Sequence, residues 1–421
     1  LPMTLAQLIN VLYSVVDRMY LGRLPGHLAL TGLGLTMPII SILMGFANLC
    51  GMGGAPLCSI YRGKGENEEA EYVMGNSFTL LIILGVLATL GCLLVKKPML
   101  YLFGASDATF PYADAYLTIY LMGTLFVMIS LGLNPFINSQ GFAKIGMMTV
   151  GLGAVVNIVL DPVFIFLLDM GVAGAAVATV LSQLGSCLYV LRFLFSKSVP
   201  IPISFGGYDP RVMLRILAVG MTPFLIIGVD NVMIIAMNAI LQSYGGAELG
   251  DRLVTCATIA QSFMLVVTMP LGGISAGTGT ILAYNYGARR RDRILKAQGF
   301  IAILCVAYVT ALFLLSRLGG GLFVALFTTE PALDAIHVCT LAIIPLGIQY
   351  AIVDGFTGMG KVQVSLPLSA FRKVVYFIAL FALPAAFGAR ATFYAEPISD
   401  ILGPIVSVAV YALVIRRLLN F

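Results

Sequence analysis

Residues 157–169 read NIVLDPVFIFLLD. The run is apolar enough to sit in lipid, yet Asn157, Asp161 and Pro162 crowd its first two turns. A carboxylate at the centre of a bilayer costs about 2.5–3.5 kcal/mol on insertion scales, so such a residue is usually functional and rarely faces acyl chains. Asn157 and Asp161 are four apart and share one face of a helix. Pro162 has no N–H to offer the carbonyl of Ile158, which leaves a backbone oxygen beside a carboxylate and an amide oxygen. Three hard oxygens on one turn make half a site for a small cation, or for a proton on the carboxylate.

The composition agrees with a lipid solvent. The 421 residues are 60% hydrophobic and 10% charged, with a mean hydropathy of +1.00, where soluble domains carry about 25% charged residues. The expected class is an all-α integral membrane protein. A net charge of +5 with no basic tail leaves no footprint for nucleic acid. Cys50, Cys58, Cys92, Cys187, Cys256, Cys305 and Cys339 lie singly in apolar segments and read as small hydrophobes. Leu1 already stands inside an apolar run, so the natural start is expected upstream, with no cleavable signal peptide in view.

Crossing the hydrocarbon layer takes about 20 apolar residues. Breaks at charges and at Gly or Pro give twelve spans, near 1–21, 28–60, 71–95, 112–139, 145–168, 170–195, 211–243, 251–285, 295–316, 333–359, 363–387 and 393–418. With alternating loops, fifteen Lys and Arg fall on the even-numbered side and six on the odd. The positive-inside rule therefore puts both termini in the cytoplasm.

The polar stretch SKSVPIPISFGGYDP at 196–210 divides the chain into an N-terminal six-helix lobe, 1–195, a cytoplasmic linker loop, 196–210, and a C-terminal six-helix lobe, 211–421. The halves echo each other. SIYRGKG at 59–65 matches AYNYGAR at 283–289, LYLFGASD at 100–107 matches VALFTTEP at 324–331, and GFAK at 141–144 matches GMGK at 358–361. Two pseudo-symmetric bundles around a central cavity are the plan of many secondary transporters. The last pair places Val374 and Ile378 opposite Asn157 and Asp161, so the cation site is expected in the first lobe alone.

Other spans offer parts for it. Tyr13 and Asp17 in span one are four apart, as are Thr179 and Gln183 in span six, within the small-residue run GVAGAAVATVLSQ. Asn134-Pro135 repeats the amide-plus-proline device in span four. In the second lobe Asp230 and Asp354 are candidates for a cationic substrate or a coupled proton, with helix-to-helix hydrogen bonding as the plainer reading of each. Arg18 beside Asp17, and Arg372 and Lys373 in span eleven, complete the deep charges singled out.

Taken in order, VVDRMYLGRLPG, YRGKG, NIVLDPVFIF, GVAGAAVATVLSQ, GMTP at 220–223 and FTGMGK resemble the multidrug and toxic compound extrusion (MATE) family of antiporters along the whole chain. The resemblance implies efflux of cationic or amphipathic drugs in exchange for Na⁺ or H⁺ by alternating access, in a prokaryotic cell membrane. It implies a cation or proton site at Asp17, Asn157, Asp161 and Thr179, with Tyr13 and Asn134 lining the same cavity. Asp230 matches an acidic position of one branch in span seven, whereas Asp354 does not match that branch's span-ten position cleanly. No cofactor is implied beyond the coupling ion, and the expected partners are a small cationic substrate and membrane lipid, with the chain a monomer. A lipid-linked oligosaccharide flippase of the same superfamily is the alternative; such flippases tend to hold pyrophosphate with basic cavity residues, while the deep charges here are mainly acidic. GFTGMGKV at 355–362 fits G-x4-G-K but has Val362 where a P-loop needs Ser or Thr, between two membrane spans. An enzyme is disfavoured because His27 and His337 are the only histidines.

Overall fold

A computed structural model describes residues 2–22, 28–103, 105, 107, 109–196, 199–325 and 333–419. Every regular element among them is helical. The elements are α1 (Pro2–Gly22), α2 (Leu28–Lys64), α3 (Asn67–Leu102), α4 (Phe110–Ser139), α5 (Ala143–Pro162), α6 (Gly171–Leu194), α7 (Pro210–Gly287), α8 (Arg291–Ala325), α9 (Leu333–Cys339), α10 (Ile343–Gly358), α11 (Val362–Phe387) and α12 (Ala395–Leu418). A π-helical turn, Val163–Leu167, extends α5, and a 3₁₀ turn, Ala389–Tyr394, precedes α12.

With α1 and the α9–α10 pair counted as spans, the described residues give twelve. Ten helical stretches among the described residues are long and apolar enough to cross a bilayer. Gly246, with φ 67° and ψ −171°, breaks α7 into two of them. The 21 residues of α1 make another span, and α9 with α10, separated only by residues 340–342, make the last. Lipid explains this all-helical outcome, since backbone groups in hydrocarbon must be satisfied within the segment. Pro38, Pro56, Pro98, Pro135, Pro367, Pro384 and Pro404 stay inside helices, as membrane helices tolerate where other groups can take up the freed carbonyls. Leu94, Leu102, Leu318 and Leu413 are almost fully exposed, as expected where acyl chains replace water.

By contact density the chain forms two compact units, Leu1–Ile227 and Gly228–Phe421. In the first, α4 is central: it packs against α2, α3, α5 and α6, burying Leu117, Leu121, Leu133 and Phe136 completely. α1 packs mainly on α5 and touches α6. The loop after α6 is stitched to this unit. Gln140 donates to the Ile201 carbonyl (3.0 Å) and accepts from the Ile201 N–H (2.9 Å), while Asn76 donates to Gly207 O (3.3 Å) and accepts from Asp209 N (3.1 Å). In the second unit α10 is the hub, packed on α8, α11 and α12, with Phe356 and Leu380 fully enclosed.

The internal repeat is visible in hydrogen bonds. After α2, Gly65 N donates to Arg62 O and Glu66 N to Tyr61 O; after α7, Arg289 N donates to Tyr286 O and Arg290 N to Asn285 O. Each pair is related by 224 residues, as the sequence match required, and both Gly65 (φ 85°) and Arg289 (φ 53°) are left-handed. The next turn corrects the expected register. Gln140, Gly141 and Phe142 donate to Phe136, Asn138 and Ile137, and Met359, Gly360 and Lys361 donate to Gly355, Thr357 and Phe356. The shift is 219, not the 217 of the GFAK/GMGK match, because the left-handed glycines Gly141 and Gly360 are the equivalent pair. Tyr376 and Leu380, rather than Val374 and Ile378, therefore correspond to Asn157 and Asp161. The third expected repeat, at 324–331, runs largely outside the described residues.

Span five also differs from its expected form. A regular helix stops at Pro162 and widens into the π turn, where Leu168 N reaches back to Val163 O (2.9 Å). Gly174 on α6 packs directly on this turn, where a Cβ would stand 2.6 Å from the Phe164 carbonyl oxygen. Gly174→Ala is expected to force α6 away and to cost about 1–3 kcal/mol, measured as a lower unfolding temperature of the detergent-solubilised protein.

Candidate functional site

The sequence rule that residues four apart share a face holds on α5: Asn157 (1% exposed) and Asp161 (0%) both turn inward. Thr179 on α6 (4%) stands across from them. The Asn157 amide nitrogen donates to Asp161 Oδ1 at 3.3 Å and to Thr179 Oγ1 at 3.4 Å, both beyond the usual 2.7–3.2 Å for N–H···O. Thr179 spends its own proton on Ala175 O (3.0 Å), so its oxygen presents lone pairs to the cluster. Asn157 Oδ1 is buried with no donor among the described residues, which in an apolar interior costs about 1–3 kcal/mol. A carboxylate, an amide oxygen and a hydroxyl thus converge, loosely bonded and rich in acceptors, beside the turn where Pro162 interrupts the helix. This donor set suits a hard cation or a proton.

Two stitches hold the arrangement. Ser186 Oγ donates to Thr149 O (3.0 Å), tying α6 to α5, and Ser182 Oγ donates to Thr179 O (2.8 Å). Tyr13 is half-buried on α1, the helix packed against α5 and α6. The side chains of Asp17 and Arg18 lie outside the described residues, although the backbone of both belongs to α1. Gln183 is half-buried one turn beyond Thr179. Asn134 is engaged elsewhere: its amide donates to Gly146 O (2.9 Å) and Thr149 Oγ1 (2.6 Å), and its oxygen accepts from Asn138 (2.9 Å). Thr149 precedes Asn157 by eight residues, about 12 Å along α5, so Asn134 knits α4 to α5 well away from the acceptor cluster.

In the second unit the carboxylates singled out from sequence each have a side-chain partner. Asp230 on α7 is bonded to Lys373 of α11, and Asp354 on α10 accepts from Ser275 of α7. The two carboxylates thus take different partners. Arg372 binds Asp400 at 2.8 Å and approaches Glu396 at 3.8 Å. Neither acid of α12 was singled out from sequence, although Glu396 and Asp400 are four apart in a span and so share a face, the signal that drew notice in span five.

The G-x4-G-K stretch is a helix-packing device. A Cβ on Gly355 would meet the Gln298 amide at 2.5 Å, and one on Gly358 would meet Gly279 O at 2.8 Å. His337 contacts Ser316 O through its ring nitrogen (3.1 Å), and His27 lies outside the described residues. Cys50, Cys58, Cys187, Cys305 and Cys339 are buried, as small hydrophobes should be.

With the geometry in view, comparison with known proteins becomes decisive. The MatE family profile matches residues 2–163 and 225–381. The chain belongs to the MATE family. Its curated relatives include the multidrug export protein MepA of Staphylococcus saprophyticus, 25% identical over 428 residues and covering 99% of this chain and 93% of that one. MepA of Staphylococcus haemolyticus is 26% identical over 415 residues, covering 95% and 89%. Among solved structures, a multidrug resistance MATE family transporter of the MOP superfamily in an outward-facing conformation superposes with a TM-score of 0.93 at 24% identity, over 100% of this chain and 95% of that chain. A MOP superfamily transporter from Pyrococcus furiosus, described as having a binding pocket of reversed polarity, matches equally well in fold (TM-score 0.93, 24% identity, 100% and 95%). This MATE protein is a multi-pass membrane transporter, not an enzyme.

The Arg372–Asp400 pair generates a stability prediction. Arg372→Met strands the Asp400 carboxylate in the interior and is expected to cost about 3–5 kcal/mol, whereas Arg372→Met with Asp400→Leu removes both charges and recovers most of the loss. Thermal unfolding of the two variants in detergent, compared with the parent, measures the difference.

Proposed function

We propose that this MATE transporter is a secondary active efflux protein that exchanges cationic or amphipathic drugs and other toxic organic compounds for Na⁺ or H⁺ by alternating access. The observation that carries the reading is the buried acceptor cluster of Asn157, Asp161 and Thr179 in a chain whose relatives are multidrug export proteins. The coupling ion would be held by oxygens of Asp17, Asn157, Asp161 and Thr179, with Tyr13 and Gln183 in support, while Asn134 braces α4 against α5. Asp230 and Asp354 would meet the substrate or a second proton. No cofactor is needed, because a membrane potential supplies about 2.3 kcal/mol per charge per 100 mV.

Exchange requires a ligand that favours one conformation and a competitor that favours the other. Entry of the cation neutralises the first-lobe carboxylates, alters the packing of α1, α5 and α6, and favours release of drug to the outside. Loss of the cation restores the charge and the form that reloads from the cytoplasm. The bias of Lys and Arg toward the even-numbered loops supports termini in the cytoplasm, and the staphylococcal relatives support a bacterial cell membrane. The protein would act as a monomer in contact with lipid.

A lipid-linked oligosaccharide flippase fits less well. Its pyrophosphate would call for basic groups able to bind it, and among the described residues the bases in span eleven, Arg372 and Lys373, are already joined to carboxylates.

The test is drug efflux from proteoliposomes under separately imposed Na⁺ and H⁺ gradients, comparing the parent with Asp161→Asn. The parent is expected to respond to one gradient and the variant to lose that dependence, with efflux falling at least about tenfold, the equivalent of about 1.4 kcal/mol of lost coupling. Equal transport by both proteins under both gradients would remove Asp161 from the coupling mechanism.

A further inference from the structure

The two ion pairs on adjacent residues of α11 are not alike. Arg372 is held against Asp400, whose side chain is wholly enclosed (0% exposed), and the Arg372 side chain is 12% exposed. Lys373 is just as deep, with 8% of its side chain exposed, but its partner Asp230 has 46% open. Consecutive residues on a helix point about 100° apart, so the pairs stand on different faces of α11. The first is closed from all sides; the second is closed from the protein side only. A carboxylate left half open within a span faces water rather than acyl chains, given what a charge in hydrocarbon costs.

The choice of base fits the difference. Arginine grips carboxylates with a rigid planar fork, whereas lysine is a compact, strongly hydrated point charge on a flexible stem and detaches more readily. The pairs also do not balance: among the described residues the bases paired with Asp230, Asp400 and Glu396 are Arg372 and Lys373. One carboxylate is in excess, and Glu396 holds Arg372 only at 3.8 Å. A displaced ammonium would therefore remain within a group that keeps negative charge.

We propose that Lys373 is a tethered cation that competes with the cationic substrate for Asp230. The ammonium holds the carboxylate from the protein side, the substrate approaches from the open side, and binding of one excludes the other. This rests on Asp230 as a substrate contact and adds what selects the substrate there. A molecule without positive charge cannot replace the ammonium, and a cation binds only as tightly as the fraction of time Asp230 is vacated permits. Lys373 thus sets a requirement for charge and keeps affinity low enough for release.

The experiment measures ethidium binding by fluorescence to the purified full chain in detergent, with the uncharged dye Nile red as control. Lys373→Met is expected to bind ethidium about tenfold more tightly than the parent, since it removes the competitor. Lys373→Arg, which keeps the charge, is expected to bind no more tightly than the parent. Asp230→Asn is expected to weaken ethidium binding, and Lys373→Met with Asp230→Asn to match Asp230→Asn alone. Nile red affinity should stay level throughout, which a merely structural role of Lys373 would not produce. Parental ethidium affinity in Lys373→Met, alongside weakened binding in Asp230→Asn, would overturn the competition and leave Asp230 as a contact. Parental affinity in Asp230→Asn would overturn both. A gain in Lys373→Met that survives in the double variant would place the lysine's effect away from Asp230 and also overturn the proposal. If Lys373→Met does not fold, Lys373→Gln carries the same expectation, because its amide still donates to Asp230 without a charge.

Discussion

Hydrocarbon offers no partner to a backbone N–H, a carbonyl or a charge, and the structure can be traced from that constraint. It forces every described span to be a helix, and it forces polar side chains to turn toward one another. In the first unit Asn157, Asp161 and Thr179 face inward together. In the second, Arg372 and Lys373 each sit on an acid. In water these side chains would have a solvent to fall back on; here their arrangement is dictated by the lack of one.

Much of this was legible in the sequence. Twelve apolar segments of the right length became twelve spans, and their limits mostly moved by a few residues, because hydropathy and helix length in a membrane are the same quantity read twice. Asn157 and Asp161 fell on one face because four residues are about one turn. What escaped was anything that depends on a partner from another span. No pattern along one helix says that Asn134 will bond Gly146 and Thr149, or that Arg372 will find Asp400. The π turn escaped for a related reason. Proline announces a lost hydrogen bond at residue 162, but how the chain recovers depends on the close approach of Gly174 from α6.

The two units share turns but not chemistry. The loops after α2 and α7 repeat their hydrogen bonds at a shift of 224, and those after α4 and α10 at 219, so the backbone repeat is seen where helices must reverse direction. The interior has diverged. In the corrected register, Tyr376 and Leu380 occupy the places of Asn157 and Asp161, while Lys373 and Arg372 correspond to Ala154 and Gly153. α5 keeps small residues where α11 keeps bases. The first unit can therefore close tightly around acceptor oxygens, and the second must satisfy positive charge.

That divergence bears on how a cation could move helices at all. A cation bound among the acceptors around Asn157 would satisfy an oxygen that lacks a donor, and its occupancy would then shift the balance between packings. The enclosed Arg372–Asp400 pair behaves differently, since removing one member leaves the other stranded and the pair resists change. The π turn stands between Asp161 and α6, so a neutralised carboxylate would act beside a segment whose hydrogen bonding is already displaced from the α-helical pattern. A regular helix would transmit the change by rigid displacement alone; a turn with wider spacing has an alternative hydrogen-bond pattern close by, and so a second packing within reach.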